Sequence, residues 1–373
     1  MDLYMARIFY IGGFELPDKN AAAQRVLANA KLLRLIGYEV SFIGITKSIE
    51  GIQSKTVSGF DHYAVPYPKS VTQWIRHICR FVDLSDYDLS DVQYVFLYNF
   101  PSVASLRIIN ICHKHGIKVI EDITEWESAH GLNPREIIRR LDIALRMHYC
   151  LKKMDGIIAI SRYLKERYKR FCKTIILPPL VDLDDEKWPR ICVNTIGEKI
   201  NLVYAGIAGT KVKDRLDMII NAIPEHSNIK LNVVGISKDE YIASYGIASN
   251  ELESVCFIGR VPHTQAIRYV SEADFQVIIR DCTRKNMAGF PTKFVESISA
   301  CTPVIANLTS NIGDYLTDGY NGFIVDDQHP LSSVLARASV LKRDEIIRMK
   351  EHCKEDRSFD YRNYTEEIKF LLS

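Results

Sequence analysis

A lysine and a glutamate three residues apart are the strongest candidates for chemistry in this sequence. Lys293 and Glu296 follow Pro291, which suits the first turn of a helix, so their side chains would share one helical face near its positive end. A lysine there can hold a phosphate, while the carboxylate accepts two ribose hydroxyls. The same spacing is also typical of an ion pair on an exposed helix.

The residues before this helix favour a ligand site. Arg280 ends a predicted strand and adds positive charge, and Gly289 lets the backbone approach a ligand closely. Phe290 and Thr292 flank the start of the helix. Together these residues predict a cradle for a diphosphate and a ribose.

A second anion site is indicated in the loop at residues 206–214. Gly206 follows a predicted strand, a helix is predicted to follow Asp214, and Lys211 and Lys213 add positive charge. Backbone N–H groups and the positive end of the helix can face a phosphate at such a turn. The loop matches neither the dinucleotide fingerprint nor a Walker loop, and lysines in such turns are commonly just solvated.

The positions of these groups depend on an alternation of short apolar strands and helical segments, which predicts parallel sheets covered by helices. Strands are predicted at Arg7 to Ile11, Glu39 to Ile45, Tyr94 to Tyr98, Lys118 to Ile120 and Gly156 to Ile160, with helices at Ala21 to Ile36 and Arg162 to Phe171. The alternation restarts at Ile200, after the paired prolines Pro178 and Pro179 and a polar stretch. The second series has strands at Ile200 to Ala205, Ile229 to Val234, Val255 to Ile258, Asp274 to Ile279 and Pro303 to Ala306, and helices at Arg215 to Ile223, Thr264 to Ser271 and Pro291 to Ala300.

We therefore expect an α/β protein of two Rossmann-like, doubly wound domains. The expected boundaries are residues 1–182, 183–350 and a C-terminal helix at 351–373 that crosses back to the first domain. Such sheets bind ligands at the carboxyl ends of their strands, so two domains facing across a cleft would place the chemistry there.

Composition excludes several other classes of protein. The chain has 373 residues, and that length predicts two domains. No run of about 20 residues is apolar enough to cross a bilayer, and a formal charge of +2 predicts no nucleic-acid partner. Nine cysteines without a Cys-x-x-Cys pair argue against a disulfide framework and against a zinc site. An acid close to the start argues against a signal peptide, so the expected location is the cytoplasm.

The segment from Gly289 to Ala306 resembles the donor-site segment of the family 4 retaining glycosyltransferases, which have the GT-B fold. Three other segments are similar to the family in the same order, namely Leu177 to Asp182, Phe257 to His263, and the "DG-x-NG hairpin" at Asp318 to Val325. The resemblance covers essentially the whole chain. It implies a nucleotide-sugar co-substrate, UDP- or GDP-linked, no further cofactor and no metal.

The resemblance also implies roles for individual residues. Lys213 together with Arg280 or Lys293 would neutralise the diphosphate, Gly289 and Phe290 would offer backbone N–H groups, and Glu296 would hold the ribose. Arg260 and Val261 lie in the segment that the family places by the nucleotide base. These assignments are carried over by motif.

Two departures from the family pattern bear on the sugar end of the site. The commonest pattern has a first glutamate eight positions before the second, where this chain has Ala288. The usual Gly-Arg is also absent, since Ile207 follows Gly206. Some branches of the family have a Pro-x-Lys-x-x-Glu form, so we still expect this protein to be active. The alternative is that it is a non-catalytic member of the family.

The first domain resembles the acceptor side of the family. Gly12 and Gly13 follow the first strand like its glycine loop, and Arg25 in the next helix could reach a phosphate or be a surface arginine with a buried stem. Many relatives place a histidine after a later strand, where this chain has Asp122 and Glu125, with His130 a little further on. We predict Glu125 as the group that accepts the acceptor's proton, although it could equally order its own loop.

Residues 135–153 form a basic amphipathic stretch. Six lysines or arginines stand against two acids, with apolar residues at helical spacing. Such a helix could contact anionic lipid, which would make the protein peripheral on the inner face of the cell membrane, or it could be a solvated helix packed on the sheet.

The predicted function is transfer of a hexosyl or N-acetylhexosaminyl group from a UDP- or GDP-sugar to a hydroxyl of a glycan or lipid-linked acceptor, with retention, in polysaccharide assembly. The alternatives are a sugar-nucleotide epimerase of the same architecture and a non-catalytic sugar-nucleotide binder. A nicotinamide oxidoreductase is disfavoured because the first turn lacks the dinucleotide fingerprint.

Overall fold

The computed structural model describes residues 6–17, 20–47, 49–129, 131, 133–189, 192, 199–206, 213–223, 228–245 and 254–373. The chain divides into two compact units, an N-terminal unit of residues 1–181 and 360–373 and a C-terminal unit of residues 182–359. Residues 351–359 therefore lie in the C-terminal unit, whereas the sequence placed them in the returning helix. The reason is that Ile346 and Met349 of the helix Arg343–Glu355 pack into the core of the C-terminal unit.

The N-terminal unit is built on an eight-stranded sheet with the order β3-β4-β2-β1-β5-β6-β7-β8 among the described residues. The strands are β1 Arg7–Gly12, β2 Glu39–Thr46, β3 Gln53–Val57, β4 Phe60–Pro66, β5 Val92–Tyr98, β6 Lys118–Ile123, β7 Gly156–Ala159 and β8 Lys173–Ile176. All neighbours pair in parallel except β3 and β4. The β3–β4 hairpin was not predicted, because the exposed strand β3 carries polar side chains with no apolar face.

Helices cover this sheet and are positioned by local capping. They are α1 Ala21–Leu35, α2 Val71–Arg80, α3 Ser102–Lys114, α4 Pro134–His148 and α5 Arg162–Tyr168. The Asn20 side chain accepts a hydrogen bond from the Ala23 N–H at 2.8 Å and begins α1. Gly37, with φ of +97°, follows α1 and donates to the Arg34 carbonyl, as the sequence predicts for a C-terminal cap.

The C-terminal unit has a six-stranded, fully parallel sheet among its described residues, in the order β11-β10-β9-β12-β13-β14. The strands are β9 Ile200–Ala205, β10 Ile229–Val234, β11 Val255–Gly259, β12 Phe275–Ile278, β13 Val304–Asn307 and β14 Gly322–Val325. The helices are α6 Leu216–Asn221, α7 Lys238–Tyr245, α8 His263–Glu272, α9 Arg284–Ala288, α10 Thr292–Ser299, α11 Leu331–Ser339 and α12 Arg343–Glu355. The central strands are buried apolar runs, which is typical of parallel sheets covered on both faces.

The segment predicted as a hairpin at Asp318 to Val325 is instead a turn that leads into a parallel strand. β14 pairs with β13 in parallel, and Asp318 forms only an isolated bridge with Gly322. A Cβ at Gly322 would meet the backbone of Val304, so the glycine reflects this close approach. The prediction of a hairpin was therefore wrong, while the glycine itself has a structural reason.

The chain ends in helix α13 Thr365–Leu372, which belongs to the N-terminal unit. Its buried residues Ile368, Leu371 and Leu372 join the core of that unit. Among the described residues, no helix combines the length and the hydropathy needed to span a membrane.

Candidate functional site

Lys293 lies in the first turn of α10 and is held by two side chains from other elements. Its Nζ donates to the Tyr204 hydroxyl at 2.8 Å and forms an ion pair with Asp214. Tyr204 comes from β9, and Asp214 lies just before α6. Burial lowers the pKa of Lys293, and the adjacent Asp214 carboxylate opposes that shift.

Asp214 is the centre of this cluster. Its carboxylate is 5% exposed and accepts from the Tyr204 hydroxyl at 2.8 Å and from the Arg280 Nε at 2.8 Å, besides pairing with Lys293. Burial by itself would raise the pKa of Asp214, but Lys293 and Arg280 lower it well below its usual range. Burial and the carboxylate together raise the pKa of Tyr204 well above its usual value. Two cations and one anion leave the cluster with a net positive charge.

Arg280 is fixed at the end of β12 through its backbone. Its N–H donates to the Asn307 side-chain oxygen at 2.9 Å, and its carbonyl accepts from the Asn307 amide at 2.7 Å. Asn286 of α9 donates to the carbonyls of Lys213 and Asp281 at 3.2 and 2.9 Å. The side-chain amides of Asn307 and Asn286 therefore connect the segment of Lys213, the end of β12 at Arg280 and α9.

Glu296 lies one turn after Lys293 and has a partner of its own. Its Oε1 is 2.9 Å from the Nε2 of His263, the first residue of α8. The ion pair between Lys293 and Glu296 that the spacing alone would favour does not form, because each side chain is held by a different element. The two functional candidates thus remain separate groups on α10.

The glycine candidates of the C-terminal unit have different roles. A Cβ at Gly206 would collide with the Lys293 side chain, so the glycine lets β9 and α10 approach each other. The Gly289 N–H donates to the Lys285 carbonyl at 3.1 Å and closes α9, so the N–H that the resemblance assigns to a ligand is used within the unit. Phe290 is buried among aromatic rings, and its N–H forms no hydrogen bond to the described residues.

The remaining candidates of the C-terminal unit lie at the start of α10, beside Asp214 and before α8. Thr292 begins α10 and is half-buried, and Lys213 is exposed next to Asp214. Arg260 is exposed and donates to Glu240 at 3.0 Å, and the half-buried Val261 leads towards α8. Ala288, where the family places its first glutamate, is buried at the end of α9. Lys211 lies outside the described residues.

Chemically, the arrangement suits an anion next to a polyhydroxyl group. Lys293, Arg280 and the N-terminus of α10 supply positive charge, while Glu296 supplies acceptor oxygens one turn away. Within the described ranges, no three His, Cys, Asp or Glu side chains are grouped so as to hold a metal ion.

In the N-terminal unit, Arg25 is a structural residue. Its side chain is buried; Nε and Nη2 donate to Asp122 at 3.0 and 2.7 Å, and Nη1 donates to the carbonyls of Leu177 and Pro178 at 3.1 Å. Asp122 also accepts from the Tyr10 hydroxyl at 2.5 Å. The prediction that Arg25 reaches an acceptor phosphate is therefore wrong, because its donors are used inside the unit.

Gly12 and Glu125 both lie next to Tyr98, at the carboxyl ends of the central strands. A Cβ at Gly12 would stand 2.7 Å from the Cβ of Tyr98, so the glycine is required by packing. Burial, with smaller contributions from Asp122 and Glu125, raises the pKa of Tyr98 to about 12. Glu125 is half-buried in the loop after β6. The Asn99 side-chain amide holds this loop by donating a hydrogen bond to the Thr124 hydroxyl at 2.6 Å. Gly13 is exposed. Their roles towards an acceptor stay predictions.

Helix α4 contains most of the basic stretch, and its faces differ. Ile143, Arg146 and Met147 are buried, while Ile138, Leu141 and Leu145 are exposed. Arg146 donates to Glu121 at 3.1 Å and to Glu127 at 2.9 Å, so it anchors α4 and does not belong to the basic surface. Burial raises the pKa of Glu121 to about 8, against the opposing effect of Arg146. On its exposed face, α4 therefore carries the apolar residues Ile138, Leu141 and Leu145 beside the remaining basic residues.

Sequence reasoning missed four residues that contact Lys293, Arg280 or Glu296, which are Tyr204, Asp214, His263 and Asn307. Asn307 directly follows a predicted strand, where polar side chains gather in parallel sheets. Asp214 and His263 directly precede predicted helices, and these positions were the signal available. Tyr204 lies inside a strand and carried no such signal.

Residues 196–356 match the sequence model of the family described as Glycosyl transferases group 1. The alpha-monoglucosyldiacylglycerol synthase of Streptococcus pneumoniae is 22% identical over 256 residues, which are 64% of this chain and 56% of that protein. The chain spans about half the length of the curated relatives it matches, 48% of one and 56% of the other.

The fold is also similar to solved structures. Sucrose-phosphate synthase from Thermosynechococcus elongatus superposes with a TM-score of 0.71 at 12% identity, over 98% of each chain. The Anabaena protein HepE, solved in complex with UDP and glucose, has a TM-score of 0.61 at 10% identity, over 98% of this chain and 99% of that one. Residues 196–356 thus match the group 1 glycosyltransferases, and the two parallel-sheet units have the GT-B fold that the sequence predicted.

Proposed function

We propose that this protein is a glycosyltransferase that moves a hexosyl or N-acetylhexosaminyl group from a UDP- or GDP-sugar to an acceptor hydroxyl, with retention and without a metal. The observation that carries the proposal is the cluster of Lys293, Arg280 and Asp214 with Glu296 one helical turn away. A diphosphate fits the two cations, and a ribose fits the carboxylate. The similar HepE structure, which was solved with UDP and glucose, supports a uridine nucleotide as the first candidate.

In the proposed reaction, the bond between the anomeric carbon and the diphosphate oxygen breaks as the acceptor oxygen forms its bond to that carbon. Negative charge grows on the departing diphosphate, where Lys293 and Arg280 stabilise it. The acceptor's proton passes to the departing phosphate or to Glu125. Proton transfer to the departing phosphate would not require a carboxylate at position 288, where this chain has Ala288.

The proposed acceptor is a glycan or a lipid-linked sugar used in cell-surface polysaccharide assembly. Two observations support a lipid-linked acceptor: the S. pneumoniae relative is named as a synthase of alpha-monoglucosyldiacylglycerol, and α4 exposes apolar and basic residues together. We propose that this face of α4 contacts an anionic membrane on its cytoplasmic side.

Substitution of Lys293→Ala and of Glu296→Ala tests the function. Each variant is incubated with UDP- and GDP-sugars and a panel of glycan and lipid-linked acceptors, and transfer is measured as labelled product. We expect kcat/KM to fall by about 10²-fold or more, because each variant loses a group that contacts the donor. Lys230→Ala and Glu355→Ala, exposed residues of the same unit, are the matched controls.

The same assay separates the alternatives. Conversion of the donor without an acceptor would indicate an epimerase, and donor binding without transfer or hydrolysis would indicate the non-catalytic binder that Ala288 suggests. Wild-type turnover by both variants, at unchanged melting temperature, would exclude the site assignment.

A further inference from the structure

The two charged side chains of α10 are kept apart by partners on other elements. Residues three apart on a helix readily form an ion pair, and Lys293 and Glu296 have that spacing. Lys293 instead pairs with Asp214, and Glu296 pairs with His263. Without His263, the Glu296 carboxylate would lose the partner that fixes its orientation, while Lys293 would keep its own partner.

His263 is well placed to fix this carboxylate. It begins α8, directly after the Pro262 segment that follows β11, and α8 packs against α10. The side chains of His263 and Glu296 are 27% and 21% exposed, so a ligand can reach them while much of the bulk water is excluded. Partial burial strengthens the 2.9 Å hydrogen bond and restricts the rotamers of both side chains.

The contact uses one oxygen of the carboxylate and leaves the other available. Oε1 lies against His263, and Oε2 forms no hydrogen bond within the part of the chain that the structure describes. A carboxylate has about four acceptor sites, so a fixed Glu296 can accept from two neighbouring hydroxyls while still bonded to His263.

We infer that His263 is a positioning residue that orients Glu296 towards the vicinal hydroxyls of the donor's ribose and so makes binding selective for ribonucleotides. The inference rests on the proposed function, because it requires a nucleoside diphosphate at this site. It adds a determinant of sugar recognition on α8, an element that does not carry the carboxylate itself.

Calorimetry with UDP and with 2′,3′-dideoxy-UDP tests the inference, with GDP and 2′,3′-dideoxy-GDP in parallel. Wild-type protein is expected to bind the ribonucleotide about tenfold to a hundredfold more tightly than the dideoxy form. His263→Ala should weaken the ribonucleotide about tenfold and leave the dideoxy form unchanged. His263→Gln, whose amide can also donate to Glu296, should recover most of the selectivity.

His329→Ala is the matched control, since His329 also contacts a carboxylate, Asp326, at 3.0 Å on the surface of the same unit. Equal weakening of both nucleotides by His263→Ala, or no change in either, would overturn the positioning role while leaving the proposed function intact. Failure of the wild-type protein to bind any of the four nucleotides would overturn the proposed function and the inference together.

Discussion

Asp214 holds two cations in a buried position of the C-terminal unit. Its carboxylate is the anion that Lys293 and Arg280 share. A buried charge left without its partner is costly, so this carboxylate keeps both cations in place. The role of Asp214 is therefore to preserve the positive site within the fold.

Asp214→Asn should destabilise the protein by about 3–5 kcal/mol at pH 7, because Lys293 and Arg280 lose their buried counter-charge. The pKa of Asp214 is lowered in the folded state, so its stabilisation is complete above the unfolded pKa of about 3.9 and is lost as pH falls below it. Urea unfolding from pH 7 to pH 3 should show a gap between wild type and variant that is constant down to about pH 5 and then narrows.

Asp217→Asn provides the matched comparison, since Asp217 pairs with Arg215 at 2.9 Å in a more exposed setting. It should cost about 1 kcal/mol or less at every pH. A similar loss for both variants, or a gap for Asp214→Asn that widens in acid, would contradict the buried counter-charge.

Proximity between residues could be predicted from the sequence only where the residues are close along the chain. Lys293 and Glu296 share one helix, so their neighbourhood could be predicted from spacing alone. Arg25 contacts Asp122, 97 positions away, and no local pattern shows that its donors are used internally. His263 and Glu296 are 33 positions apart, and their contact depends on how α8 packs against α10.

At the scale of elements, α4 combines an anchor and an outer surface. Arg146 ties one face to Glu121 and Glu127, and Ile138, Leu141 and Leu145 stand exposed on the helix. Exposed apolar side chains next to basic ones suit the interface of an anionic bilayer. The periodicity of the sequence predicted the helix, but it could not show which of its cations was buried.

The double variant Leu141→Ser and Leu145→Ser should lose most of its binding to anionic vesicles, because the apolar contribution disappears while the charge remains. Leu141 is 64% exposed, so the change should leave the melting temperature within a few degrees of wild type. Co-sedimentation with vesicles of phosphatidylglycerol and phosphatidylcholine, compared with phosphatidylcholine alone, measures the effect.

Leu35→Ser on α1 is the matched control, being an exposed leucine of the same unit outside the basic stretch. Equal binding of wild type and double variant, or equal loss in the control, would favour the solvated-helix alternative for α4.

At the scale of the whole molecule, the chain builds a parallel sheet twice and then returns to its first unit. The alternation of strands and helices predicted both sheets, since buried parallel strands are near-continuous apolar runs. The exact end of the second unit could not be predicted, because α12 and α13 are both amphipathic and only packing assigns them to different units. The last residues therefore complete a core that begins at β1.

Leu371→Ala should destabilise the N-terminal unit by about 2–5 kcal/mol, because Leu371 is buried against the backbone of β7 at Gly156. Hydrogen exchange read by mass spectrometry should show faster exchange in β7 and β8 and unchanged exchange in β9 and β13. Phe370→Ala, one residue earlier and 58% exposed, should change exchange in neither unit. Equal acceleration in both units would mean that the C-terminal helix stabilises the molecule as one cooperative body, and no acceleration would mean that α13 adds nothing to the first core.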